Sequence, residues 1–250
     1  GACAPREDAP PTWGLADSLR VDSLIDQRVA RNELMGAVVL MRDGKLLYAR
    51  GTGFVDVARA APFAPFSASD GGSLAKTLTA AAVWRLAHEG RLRLDTAVTA
   101  YLPEYPYAGT LVRHLIEHSN GLLPYYEAFD PYVRPGQVRQ TQDLLAIVRR
   151  EFPQPRFAPG TRFEYSNLGF DAAVLIVERI TGKPIADVFD EWFFTPLQMD
   201  SAFVRPGRFA DFPGLRALGY RWADSTWQRW EIYDNDAVIG GSGVYFSAMD

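Results

Sequence analysis

The sequence predicts a mixed α/β chain of the α+β kind, with antiparallel strand pairs and a run of helices between them. Three observations carry this. Gly36–Met41 (GAVVLM) and Lys45–Arg50 (KLLYAR) are strand-forming runs joined by Arg42-Asp43-Gly44, the composition of a hairpin turn. Gly71–Gly90 holds a helix opening near Ser73, rich in alanine and leucine and stopped by Gly90. Leu168–Thr181 is a second strong helix, closed by Gly182.

The remaining elements follow in order. Residues 1–14 read as a flexible, proline-rich tether and residues 15–250 as one domain. Leu15–Leu34 has helical apolar spacing through Leu19, Leu24, Ile25 and Val29. Gly51–Val57 continues extended, and Ala58–Asp70 is a loop leading into the Ser73 helix. Thr110 is placed to cap a helix running to Glu117, and Thr141 to cap Gln142–Phe152. Ile185–Phe194 is a further helix. Arg216–Trp222 and Trp227–Tyr233 form a late strand pair. Ser247-Ala-Met-Asp250 has the pattern of a helix-opening capping box with no helix after it, so the natural chain is expected to continue.

Composition narrows the function. At 250 residues and 48% hydrophobic, the chain can bury a large core. A net charge of −4 offers no electrostatic footprint for nucleic acid or an anionic membrane. No apolar run approaches the length of a bilayer span. Cys3 is the sole cysteine, so the fold stands without disulfides. Gly-Ala-Cys3 followed by the tether resembles a bacterial lipoprotein processing site, which implies a periplasmic or extracellular protein with a lipid anchor at Cys3. An incidental terminal cysteine is the alternative.

The chemistry concentrates on Ser73 and Lys76. From Leu74 to Ala87 nearly every residue is apolar or small, the signature of a helix buried on most sides. Lys76, one of only three lysines, sits inside it. An amine withdrawn from water loses preference for its charged form and becomes a proton acceptor. Ser73 lies one turn earlier on the same face, and helical side chains lean toward the N-terminus, so Lys76 leans toward it. A hydroxyl beside such a base, at the positive end of a helix, is an activated nucleophile. The bland alternative is a chance Ser-x-x-Lys in a packed helix. A second triplet, Tyr165-x-Asn167, offers a phenol able to shuttle protons and an amide able to bond both a substrate carbonyl and Lys76. Its bland alternative is an asparagine-stabilised turn.

These motifs and their surroundings resemble the serine β-lactamase and penicillin-binding-protein superfamily, in its class C β-lactamase, esterase and D-peptidase branch. GSLAKTLTAAAV is similar to the nucleophile helix, EGRLRLDTAVTAYLP to the connector after it, and VRHLIEHSNGLLP to a His-Thr-Ser-Gly-Leu-Pro-like segment. PGTRFEYSNLGF resembles the second motif, and IGGSGVYFSAMD the glycine-rich segment before a late helix. The resemblance implies an antiparallel sheet flanked by helices plus a mostly helical lobe, with the site in the cleft between them. It implies that Ser73 attacks a carbonyl, that Lys76 and Tyr165 move protons, and that water releases the acyl-enzyme, with no cofactor or metal. One oxyanion donor would be the Ser73 N–H. Asn167 and Tyr126 would face a small-molecule or peptide substrate: an ester, an amide or D-peptide, or a β-lactam. Tyr125, Tyr126, Phe129 and Tyr132 are expected to shape an apolar acyl pocket. The family's third motif, Lys/His-x-Gly on a late strand, has no counterpart in this sequence. Its absence would leave the hairpin with an uncovered edge, and a chain that stops short explains both. Asn120 stands where the family usually has a small residue.

Two rivals remain. His114-Leu-Ile-Glu-His118 spells the inverted zinc-peptidase pattern, with two histidines at i and i+4 of a helix and Glu117 as base. A non-catalytic scaffold domain of the cell envelope would keep the fold without turnover.

Overall fold

The computed structural model describes residues 12–124, 126–132, 134–214, 216–230 and 236–250. Helix α1 (Leu15–Ala30) is followed by the hairpin of β1 (Gly36–Arg42) and β2 (Lys45–Thr52). The hairpin is antiparallel, with Gly36 opposite Thr52 and Arg42 opposite Lys45. Its turn residues Asp43 and Gly44 both have positive φ, 50° and 70°, as a two-residue primed turn requires. Among the described residues β1 pairs with β2 alone. Polar contacts fasten α1 to β2: Arg50 meets Asp22 at 2.9 Å and Asp26 at 2.5 Å, and the Tyr48 hydroxyl bonds Asp22. Trp13 already bonds Ser18 through its indole N–H.

Gly53, at φ 72°, breaks the predicted extension of the hairpin, and β3 (Phe54–Asp56) turns back on β4 (Ala61–Pro62). Next come β5 (Ser69–Asp70), a 3₁₀ turn over Gly72–Leu74, and α2 (Ala75–His88). The end of α2 is closed by Gly90 at φ 72°, with the Arg91 N–H reaching the Leu86 carbonyl as in a Schellman motif. The helical lobe then adds α3 (Val112–Ile116), α4 (Thr141–Glu151), α5 (Asn167–Thr181) and α6 (Ile185–Phe189), the last running into a π-helical turn at Asp190–Phe194. The chain returns through β6 (Phe203–Val204), the pair β7 (Tyr220–Ala223) and β8 (Thr226–Arg229), and β9 (Val244–Phe246). Strand β9 lies between β5 and β6, antiparallel to both. The closing residues form reciprocal capping-box bonds: Ser247 N–H to Asp250 Oδ2 at 2.6 Å, and Asp250 N–H to Ser247 Oγ at 3.3 Å. No helix among the described residues is long and apolar enough to cross a membrane.

The core is centred on α5, whose residues from Leu168 to Val177 are all buried, and on the buried side of α2 (Ala75, Ala82, Val83, Leu86). Helix α2 is not buried all round, as its composition suggested. Leu74 just before it and Trp84 within it are 61% and 58% exposed. Its small alanines make every face look apolar, while only the Ala75–Lys76–Thr79–Ala82–Val83–Leu86 stripe meets α5 and the core. Two other expectations change. Thr110 does not cap α3: Leu111 holds the cap position, and its N–H donates to His114 Nδ1. Helix α4 starts at Thr141 itself, after Gln140. The late strand pair is shorter than predicted, and its expected end at residues 231–233 lies outside the described residues.

Asn120, the departure from the family pattern, is 1% exposed. Its Oδ1 accepts the Leu122 N–H at 2.8 Å, and it packs on Gly169 of α5. A Cβ at residue 169 would overlap Asn120 Nδ2 and sit 2.9 Å from the Leu115 carbonyl. Overpacking of a close helix contact costs about 1–3 kcal/mol. Gly169→Ala should therefore lower the free energy of unfolding by about 1–3 kcal/mol, read as a lower denaturant midpoint with an unchanged slope of the unfolding curve.

Candidate active site

The 3₁₀ turn before α2 presents Ser73 to solvent at the N-terminal end of that helix. Asp70 accepts the Gly72 N–H at 2.8 Å, and the Gly71 N–H bonds the Val244 carbonyl of β9 at 2.9 Å. This pins the residues just before the serine. Among the described residues no acceptor is bonded to the Ser73 N–H, so that donor can face a developing oxyanion.

One turn on, Lys76 is 8% exposed, and its amine meets three acceptors. They are Ser73 Oγ at 3.2 Å, Asn167 Oδ1 at 2.7 Å and the Gly241 carbonyl at 2.5 Å. A lysine amine carries at most three protons, so this set can satisfy all of them. Among the described residues no carboxylate forms an ion pair with it. Tyr165, in the loop entering α5, places its hydroxyl 2.7 Å from Ser73 Oγ, and Lys76 Nζ lies 4.8 Å from the centre of its ring. Asn167 is the first residue of α5. The structure thus brings Ser73, Lys76, Tyr165 and Asn167 into one hydrogen-bonded cluster. The side chain of Tyr126 lies outside the described residues, as do Tyr125 and Cys3.

Some sequence expectations do not survive. Phe129 is fully buried, so it belongs to the core rather than to an acyl pocket; Tyr132, by contrast, stays exposed, with its ring edge-on to Phe152. His114 and His118 do not share a helix face. Helix α3 ends at Ile116, and His118 sits in the turn beyond it at φ 56°. Each imidazole already accepts a backbone N–H through Nδ1, His114 from Leu111 and His118 from Ser166 at 3.1 Å. Among the described residues no group of three His, Cys, Asp or Glu is disposed to hold a metal ion.

The site also contains groups that the sequence motifs did not single out. His118 stacks on Tyr165 with ring centres 4.4 Å apart and planes 27° apart, fixing the phenol from behind. Thr79 donates to the Gly240 carbonyl at 3.0 Å. Gly241 supplies a backbone carbonyl to Lys76, and a Cβ there would lie 2.9 Å from Asn167 Cβ. The adjacent glycines at 240 and 241 were the available signal, since such pairs mark close backbone approach.

The chain is similar to several known proteins. The family model described as Beta-lactamase matches residues 21–250. Esterase EstB of Burkholderia gladioli is 34% identical over 209 residues, covering 76% of this chain and 53% of its own. Penicillin-binding protein 4* of Bacillus subtilis (strain 168) is 27% identical over 184 residues, covering 74% of this chain and 41% of its own. The chain therefore spans about half the length of these curated relatives. In fold it resembles the octameric penicillin-binding protein homologue from Pyrococcus abyssi, with a TM-score of 0.78 and 24% identity, over 93% of this chain and 54% of that one.

Burial, followed by the charge of nearby Lys76, holds His118 below the usual imidazole value. The unfolded chain then takes up this proton first as pH falls. Stability linked to His118 is complete above about pH 6.5 and is lost as pH falls from there toward the folded value. His118→Asn should flatten the dependence of the unfolding midpoint on pH below about 6.5. An unchanged slope would assign it to other groups.

Proposed function

This chain belongs to the Beta-lactamase family, and on that basis we propose that it is a serine hydrolase working through an acyl-enzyme, on an ester or amide carbonyl in preference to a β-lactam. The observation that carries the proposal is the double engagement of one hydroxyl. Ser73 Oγ is within hydrogen-bond reach of both Lys76 Nζ and Tyr165 OH. Attack by Ser73 on a carbonyl carbon forms a C–O bond and releases one proton, which passes to Lys76 in its free-amine form or to Tyr165 in its phenolate form. The same proton then goes to the departing alcohol or amine as the acyl bond breaks. Water attacks the acyl-enzyme, with the cluster again taking and returning a proton, and frees the acid. The Ser73 N–H stabilises the oxyanion in both steps. Asn167 holds Lys76 through Oδ1 and leaves its amide N–H₂ able to donate to a substrate carbonyl.

The preference for an ester or amide rests on the similarity to an esterase at 34% identity. An envelope or extracellular setting, with a lipid anchor at Cys3, is proposed on the Gly-Ala-Cys sequence and the proline-rich tether. Metabolic labelling of cells with palmitate should mark the protein, and Cys3→Ser should remove the label.

In the full-length protein a fluorophosphonate probe should label Ser73 covalently, and Ser73→Ala should abolish labelling while preserving the fold. Lys76→Ala should slow acylation about 10²–10⁴-fold. Tyr165→Phe should keep the ring packing but reduce turnover of chromogenic esters. Parent-level labelling of Lys76→Ala would assign the proton to another group. No labelling of the parent protein would favour the scaffold reading. Faster turnover of a chromogenic cephalosporin than of every ester and D-peptide tried would reverse the substrate order.

A further inference from the structure

Helix α5 contributes a second side chain to the environment of Lys76, one turn beyond Asn167. Asp171 is fully buried, and its Oδ1 accepts the Gly241 N–H at 2.7 Å. Residues 167 and 171 are spaced i, i+4, so they project from one face of α5. Asn167 holds the amine directly, while Asp171 holds the N–H of Gly241, whose carbonyl, in the next peptide unit, also holds the amine. On the other side of that turn, Thr79 of α2, itself fully buried, donates to the Gly240 carbonyl. A Cβ on residue 240 would lie 2.5 Å from the Phe170 carbonyl, so the turn is pressed against α5 with little room to shift.

We propose that Asp171 and Thr79 are positioning residues: together they clamp the Gly240–Gly241 turn so that the Gly241 carbonyl fixes the direction in which Lys76 reaches Ser73. The proposal rests on the serine-hydrolase reading above. Its physical basis is geometric. A lysine amine on four methylenes has many rotamers, and two fixed acceptors leave only its third position for Ser73 Oγ. The peptide unit just before the Gly241 carbonyl is gripped at both ends, by Thr79 on the Gly240 carbonyl and by Asp171 on the Gly241 N–H, and this sets the direction of the carbonyl that follows. A carboxylate accepting a backbone N–H is a strong, short tether. A displacement of about 1 Å in a reacting group can cost on the order of 10²-fold in rate.

The test uses the full-length protein and measures the rate constant for labelling of Ser73 by a fluorophosphonate. That constant does not depend on how much of the sample is active. Asp171→Ala should lower it at least tenfold, with final stoichiometry and probe affinity unchanged. Asp171→Asn keeps an oxygen that can accept the Gly241 N–H, so it should recover most of the loss. Thr79→Val, nearly isosteric, should lower the rate constant a few-fold. A purely structural role would reduce thermal stability and labelled fraction and leave the rate constant alone. Parent rate constants in both Asp171→Ala and Thr79→Val would overturn the proposal. Should Asp171→Ala fail to fold, an unchanged rate constant in Thr79→Val would overturn it alone. Failure of the underlying reading would look different: the parent would not label, or Lys76→Ala would label as fast as the parent.

Discussion

The whole arrangement depends on keeping one amine out of water with its hydrogen-bonding capacity met. Transfer of an unpaired ammonium into a protein interior costs several kcal/mol after relaxation. Lys76 avoids that cost without a carboxylate partner in the described structure. It uses a hydroxyl, an amide oxygen and a peptide carbonyl drawn from three stretches of chain. Hydrogen bonds to a charged group are worth about 1.5–3 kcal/mol each, so three of them can offset burial. This set of acceptors has a further effect. One of the three is the Ser73 hydroxyl itself, so the bonds that satisfy the amine also hold it against the nucleophile.

The fold can be understood as what brings those three stretches together. Helix α2 carries the lysine on its buried stripe, α5 begins at the asparagine, and the glycine-rich segment crosses both helices before continuing as β9. Two glycines permit that crossing, because residues 240 and 241 have no space for a side chain against α5. Gly169 plays the matching part on the far side, letting α5 approach the Asn120 turn. Close backbone approach at three points therefore sets the position of the whole cluster.

Much of this was legible in the sequence, and the exceptions share a cause. Ser73 and Lys76 could be paired because one helical turn relates them, and Tyr165 and Asn167 because they fall in a short motif before a strong helix. The hairpin was legible from Asp43-Gly44, and its turn has the backbone angles those residues favour. What was missed acts at long range or through the main chain. The Gly241 carbonyl has no side chain to advertise it. Asp171 reads as an ordinary helix residue until its partner, 70 positions away, is known. The rival metal pair His114 and His118 has a spacing that suits a continuous helix, but the helix stops at Ile116. Phe129 was read as pocket rather than core because an aromatic serves either purpose. Helix α2 looked apolar on every side because alanine does not report which face is wet.

Strand β9 has a consequence for how the protein comes into being. It pairs with the residues just before Ser73, and the turn ahead of it supplies the last contact to Lys76. During synthesis the serine leaves the ribosome long before either is made. A nascent chain extending only through α5 can form the Ser73–Lys76–Asn167 contacts but has nothing to finish them. The cluster therefore gains its last contact only once the chain 165 positions beyond Lys76 has been made.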